Sequence, residues 1–291
     1  MVDTVAGFWR AWRQLRPRDE IVVHHVTFRG EVKLLHKRLS DWAEVHFGSG
    51  TRFVGISSAQ DIPAVWLNDD SHIRFYGGDV SESASGGMAG TGVVVYDSSY
   101  VSWWGVRVHD VGGAGMYLTG IKKASDHLDF KGDVYDWGHN LKWDPHTEKG
   151  TGLQGINVAD SHYGVNASRL AFHVHNSPIG SGLQIGGANA TDGARGNSIY
   201  LWCQHLTIVA QHGVGGNCAQ VWGQNVTGNT FRYIAAQHLS GRPYQAGGMF
   251  ANQSLATDRV VYGRASRTNL NRVYGEVRWD SRNGTVFEDV R

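Results

Sequence analysis

The stretch GSGLQI, Gly180 to Ile185, decides how this chain folds, because it is one of a series. GTGVVV from Gly90, GAGMYL from Gly113, GTGLQG from Gly150 and GNCAQV from Gly216 open alike: a glycine-led turn, then a few alternating apolar residues. Consecutive openings lie 23 to 37 residues apart. Looser versions, AEVHF around Val45, AVWL around Val65 and MFA around Phe250, extend the series at both ends. Runs this short with a period of two are strands. Their recurrence on this scale means stacked units that bury a core only against their neighbours. Longer alternating runs follow each opening, such as SHIRFYGGDV from Ser71, SYVSWWGVRVHD from Ser99, DHLDFKGDVYD from Asp126, SRLAFHVHN from Ser168 and NSIYLWCQHLTI from Asn197. Each coil is therefore expected to hold three strands, a short first one and two more separated by a tight turn.

The composition agrees. Gly makes up 39 of 291 residues, against a usual share of about 7%, while Pro numbers only 5, a balance that suits tight turns and disfavours a disordered Pro-rich chain. The repeat predicts one elongated domain over residues 1–291, and no linker interrupts it. With 27 basic and 26 acidic residues the net charge is +1, and there is no basic run to suggest a nucleic-acid partner. No stretch approaches the ~20 apolar residues of a membrane span, so no membrane partner is expected. The N-terminus has no apolar signal core, which fits a cytoplasmic protein or a secreted one whose signal has been removed. Cys203 and Cys218 are too few for a zinc site and read as small buried apolar residues rather than a disulfide.

One helix is expected, from Asp3 to Arg16 within residues 1–18. Asp3 or Thr4 can cap it, Val5, Phe8, Trp9, Trp12 and Leu15 form an apolar stripe, and Pro17 ends it. Such a helix would cover the open end of the first coil. The C-terminal TVFEDVR reads as a strand without a second lid, so loops or another subunit of a homo-oligomer would close that end.

A helix ending in LRPRDEIVVHHVTFRGEV, followed by coils of this kind, resembles the pectate-lyase-like (pectin-lyase-like) superfamily over almost the whole chain. The resemblance implies an all-β fold, a right-handed parallel β-helix (solenoid) with an N-terminal capping α-helix. It also implies a polysaccharide or oligosaccharide ligand in a groove along the first-strand face. The paired-Asp and GHG arrangement of the polygalacturonase-like hydrolases is absent, with Asn68, Asp69 and Asp70 a near miss after a first strand. The Asp-rich calcium site and arginine signature of pectate lyases are absent too.

In each first strand the middle residue should point outward, and the series reads His46, Trp66, Val94, Tyr117, Gln154, Gln184, Gln220 and Phe250. Stacked ~4.8 Å apart, these would form a ladder of amides and rings suited to sugar hydroxyls and pyranose faces. A purely structural glutamine ladder is the alternative. Tyr117, Gln154, Gln184 and Gln220 are the leading sugar-binding candidates, with His212, Trp222 and Arg242 beside them. Histidine ends the preceding strand at His109, His139, His175 and His212.

The turn WDPHTEKG, Trp143 to Gly150, offers Asp144 and Glu148 as the carboxyl pair of a glycoside hydrolase, which needs one acid and one base or nucleophile ~5–10 Å apart. Asp110 is a third carboxylate, and His146 and His175 would tune the pair. A lyase acting on a uronic-acid polymer would instead use Lys149, His146 or Arg242, with calcium as an added cofactor; the hydrolase needs none. The near-neutral charge favours hydrolysis. A non-catalytic glycan-binding or structural shaft is the third reading.

Overall fold

The computed structural model describes residues 1–56, 62–82, 90–138, 154–158, 163–176, 181–186, 193–208, 217–221, 226–237, 240–241, 248–252, 259–266, 279–281 and 286–290. Apart from one helix it is built of strands, and two long parallel sheets account for nearly all of them, an arrangement compatible with a parallel β-helix. Each passage of the chain adds a short strand to a nine-stranded sheet and then a longer one to a thirteen-stranded sheet. The short strands include Val65–Asn68, Val93–Tyr96, Met116–Thr119, Gln154–Val158, Ser181–Ile185 and Asn217–Val221. The longer ones include Ser71–Glu82, Ser99–Val111, Asp129–Trp137, Arg169–His175, Ser198–Gln204 and Thr230–Gln237.

Alternation along each strand sends every second residue inward, and parallel register stacks like on like. In the long sheet Val45, Phe75, Trp103, Phe130, Leu170, Ile199, Phe231 and Val260 form one such column, all fully buried. Leu34, Leu67, Val95, Leu118, Val158, Ile185 and Val221 oppose them from the other sheet. The result is one continuous apolar cluster from Phe8 to Val260. The helix, Val5–Gln14, is capped by Thr4, whose side-chain oxygen accepts from Gly7 N–H at 3.1 Å. Its Phe8 ring lies 5.0 Å from Phe28, and Trp12 lies 6.1 Å from Phe75, so its apolar stripe enters the core.

The corner leading into the long sheet has a recurring form. A residue with left-handed backbone precedes a buried polar one: Asp69–Asp70, Asp97–Ser98, Ala167–Ser168, Gly196–Asn197 and Gly228–Asn229. The buried side chains satisfy backbone groups of the neighbouring coil. Ser168 N–H donates to Asn197 Oδ1 at 3.0 Å, and Asn197 N–H to Asn229 Oδ1 at 3.1 Å. The Asp and Asn residues noted in the sequence are thus the corner posts of the stack.

These expectations change, with the cysteines below. The two later strands expected in each coil are often a single bent one: SHIRFYGGDV and SYVSWWGVRVHD each run unbroken through glycines with positive φ, Gly77 and Gly78 in one and Gly105 in the other. AEVHF belongs to the long sheet, within Arg38–Gly55, so His46 is not on the first-strand face; Val32–Leu35 pairs there with Val65–Asn68. In the fifth repeat the register follows QGINV, not GTGLQG: Asn157, and not Gln154, lies between Tyr117 and Gln184. Only that reading puts two apolar residues, Ile156 and Val158, into the core, where the GTGLQG reading would put Gly155 in one of those places. At the far end Gln220 faces Ala251 rather than Phe250.

The cysteines are the last change, because Cys203 and Cys218 form a disulfide. A column of glycines, Gly92, Gly115, Gly155 and Gly182, lines the core side of the nine-stranded sheet where it approaches the other. A Cβ on Gly115 would sit 2.3 Å from Val134 Cγ1, and one on Gly182 2.9 Å from Cys203 Sγ. Cys218 takes the next place, just before Ala219 as Gly182 stands before Leu183. With no room for an independent side chain there, its sulfur joins Cys203 on the opposite sheet.

Candidate functional site

The outward residues of the long sheet form the candidate site. Its strands bend where glycines let backbones approach closely: a Cβ on Gly132 would lie 2.1 Å from the Val106 carbonyl oxygen, and one on Gly77 2.4 Å from that of Phe47. The bend and the small side chain of Ala171 leave a depression between larger neighbours. An open groove of about 330 Å³ results, lined by Gly105, Lys131, Gly132, Asp133, Ala171, Phe172, His173, Tyr200, Leu201, Trp202 and Tyr233.

Register explains which side chains meet there. One row runs Trp104, Lys131, Ala171, Tyr200, Tyr233. The next runs Arg107, Asp133, His173, Trp202, and a third His109, Tyr135, His175, Gln204, Gln237. Trp104, Tyr200, Trp202 and Tyr233 are each 37–41% exposed, although such rings are ordinarily buried. The Tyr233 ring stacks on Tyr262 at 5.3 Å and 4°. Trp202 likewise stacks on His173, and the Arg169 guanidinium lies over Tyr200, so these half-exposed rings form a column along the stack.

At one rim the polar groups are interlocked. Arg107 Nη2 donates to Asp79 Oδ2 at 2.6 Å, and the two ring nitrogens of His109 face Asp79 Oδ1 at 2.8 Å and Asp110 Oδ2 at 2.6 Å. Tyr135 is stacked between His109, at 4.8 Å, and His175, at 4.7 Å. Burial pushes the Tyr135 phenol up, and the negative charge of Asp79 adds to this, so the group stays protonated at neutral pH. Burial pushes His175 down, with the nearby His173 acting in the same direction, so it stays neutral. His173 Nδ1 lies 3.3 Å from Asp133 Oδ1, and its ring stacks on Trp202 at 4.2 Å.

The residues expected from sequence are divided by this geometry. His175 belongs to the rim, and Asp110 meets it through His109 and Tyr135. Asp110 itself has left-handed backbone, as do Asp136, Asn176 and His205 at the same corner of later coils, which accounts for the polar residues that end these strands. Tyr117, Gln184 and Gln220 do align on the outer side of the nine-stranded sheet. Gln154 stands outside that row, yet its Nε2 donates to Gln184 Oε1 at 2.6 Å, and Gln154, Asn157 and Gln184 are all buried. Asp69 and Asp70 are corner residues: Asp69 is bound by Arg38, His36 and Lys123, and Asp70 accepts from Lys37 N–H at 2.7 Å. Asp144, His146, Glu148, Lys149, His212, Trp222 and Arg242, with His139, lie outside the described residues.

Lys131, Asp133, His173, Tyr200, Trp202 and Tyr233 were not singled out from sequence. The signal was present: each is an outward member of an alternating run, and Tyr200-Leu-Trp202 places two large rings on the solvent side of one strand.

No family model matches the sequence, and neither does any curated protein. Among solved structures, an alginate lyase from Paenibacillus sp. str. FPU-7 aligns over 100% of this chain and 98% of its own, with 14% identity and a TM-score of 0.49. ORF18 of Geobacillus virus E2 aligns over 98% of this chain at 10% identity and a TM-score of 0.56, and this chain spans 58% of that one. The second likeness concerns the fold alone.

Proposed function

We propose that this protein is a carbohydrate-active enzyme that binds an acidic glycan along the outer groove of the long sheet and cleaves it by β-elimination. The observation that carries the reading is the row of exposed rings over a glycine- and alanine-floored groove with Lys131 inside it. The exposed side of Trp202 packs against a pyranose ring, with the Tyr200 and Tyr233 side chains beside it. The Lys131 ammonium meets the uronate carboxylate, with Arg107 in the adjoining row. Elimination needs a base to take the proton beside the carboxylate. The electrons of that C–H bond form the new double bond, the glycosidic C–O bond breaks, and an acid protonates the leaving oxygen. Tyr200 and Tyr233 are the candidates for base and acid, and Asp133 with His173 holds the wall of the groove.

Hydrolysis wants two carboxyl groups. Among the described residues the groove lining carries one, Asp133. The hydrolytic alternative therefore rests on Asp144 and Glu148. The net charge of +1 does not weigh against an acidic substrate once the cations lie in the groove itself. We further assign the fold to the right-handed β-helices of the pectate-lyase-like superfamily, as one domain with its helix as the N-terminal lid.

Incubation with acidic and neutral polysaccharides, followed by product analysis, tests the reading. The expected products absorb in the ultraviolet because elimination leaves an unsaturated sugar, and Lys131→Met should lower turnover about a hundredfold, within the range for loss of a group acting in the transition state. New reducing ends without that absorbance would assign hydrolysis instead. Glycan binding without any product would make the groove a binding site only.

A further inference from the structure

We propose that Asp133, His173 and His175 form a binding site for a divalent transition-metal ion of the zinc type at the rim of the groove. His173 and His175 are alternate residues of one strand, so both project from its outer side, and Asp133 stands opposite His173 in the neighbouring strand. One ligand atom from each of the three lies within 4.8 Å of the other two. Tetrahedral bonds of about 2.1 Å put ligand atoms about 3.4 Å apart. Asp133 Oδ1 and His173 Nδ1 are already at 3.3 Å; the His173 and His175 rings lie face to face at 4.2 Å and 23°, so the His175 ring must turn out of that stack to bring its lone pair to a shared ion.

The hydrogen bond behind His173 leaves its Nδ1 facing Asp133 Oδ1. Gln204 Nε2 donates to Gln237 Oε1 at 3.2 Å, which turns Gln204 Oε1 toward His173 Nε2, also at 3.2 Å. The Nε2 nitrogen therefore carries the hydrogen, and the lone pair of Nδ1 faces a carboxylate oxygen. A proton on Nδ1, as in a histidine–aspartate ion pair, or a metal ion completes that pairing. His173 stacks on Trp202 and His175 on Tyr135, and Gln204 is the hydrogen-bonding partner behind His173. Two imidazoles and one carboxylate suit zinc, cobalt or nickel, whereas calcium takes six to eight oxygens. Three protein ligands also leave a coordination position free for a ligand group.

The test needs no glycan, so its outcome is independent of the reading of the groove. Chelator-treated full-length protein is titrated calorimetrically with Zn²⁺, and its Co²⁺ complex is examined by visible absorption. One equivalent is expected to bind, with cobalt bands of a nitrogen–oxygen site. Asp133→Asn and His175→Gln should each weaken binding by at least about tenfold, as should Gln204→Leu, which removes the bond that sets the His173 tautomer. His127→Gln, away from the site, should bind as the wild type does, and matching circular dichroism shows that the variants are folded. Absence of stoichiometric binding by the wild type, or wild-type affinity in Asp133→Asn or His175→Gln, overturns the site. Unchanged affinity in Gln204→Leu overturns the tautomer argument on which it stands.

Discussion

The outer surfaces of the two sheets are made by the same rule and end up opposite in character. On the nine-stranded sheet the outward row contains Val94, Asn157 and Gln184, all buried; Gln184 accepts from Gln154, which stands outside that row, while Asn157 Oδ1 has no hydrogen-bond partner among the described residues. On the thirteen-stranded sheet the outward rows carry rings, a lysine and histidines that remain open to solvent around a groove. Pointing away from the core is thus not the same as being available to a ligand. A polar side chain that is covered, such as Gln184, serves the stack by bonding within the protein; a ring half exposed, such as Trp202, stacks on its neighbour and still presents surface to a ligand.

Variants on the two surfaces can break or sharpen this contrast. The largest effect should come from the bond that joins the sheets: replacing both Cys203 and Cys218 by Ser reopens a loop of 15 residues and should lower stability by about 3 kcal/mol, read from the thermal midpoint, while glycan affinity stays unchanged. Next, Gln184→Leu strands the buried Nε2 of Gln154 and should cost about 1–3 kcal/mol of stability, again without changing glycan binding. If that variant weakens binding but not stability, the two surfaces have been assigned the wrong way round. Trp202→Ala should do the reverse, with about 1 kcal/mol lost in glycan affinity by calorimetry and a thermal midpoint close to the wild type's.

The smallest effect concerns pH. Burial alone would push the Asp69 carboxyl up, but hydrogen bonds from Arg38, His36 and Lys123 outweigh it and hold the group well below the usual carboxylate range. Such a group contributes stability that is complete above its unfolded pKa and is lost as pH falls toward the folded one. Asp69→Asn should therefore lower the thermal midpoint at neutral pH and leave it little changed in strong acid. The loss is modest because Arg38, His36 and Lys123 are largely exposed.

Much of the fold was legible from the repeat, but the candidate site was not. Glycine-led openings and alternation located most of the strands, and the spacing of Phe8, Trp12 and Leu15 located the helix. The fifth repeat went astray because GTGLQG copies the turn of its neighbours while QGINV copies their inward pattern, and burial of Ile156 and Val158 outweighs likeness of turns. The expectation that Cys203 and Cys218 would be separate apolar residues failed because strands 15 residues apart in the chain face each other across the core. His175 was singled out from the sequence, and it lies at the rim of the groove. Its partners Asp133 and Tyr135 lie a whole coil away, beyond the reach of local pattern.

Periodicity is a local property, so the sequence by itself determined that strands form and, in most of them, which residues turn inward; the expectation of a parallel stack came from the resemblance. What covers a surface, and which side chains of successive coils come within bonding distance, depends on register and on the path of the connecting segments. Those are settled only when the coils pack. That is why tertiary structure alone distinguished the buried amides around Gln184 from the open rings around Trp202, and brought Asp133, His173 and His175 to one place.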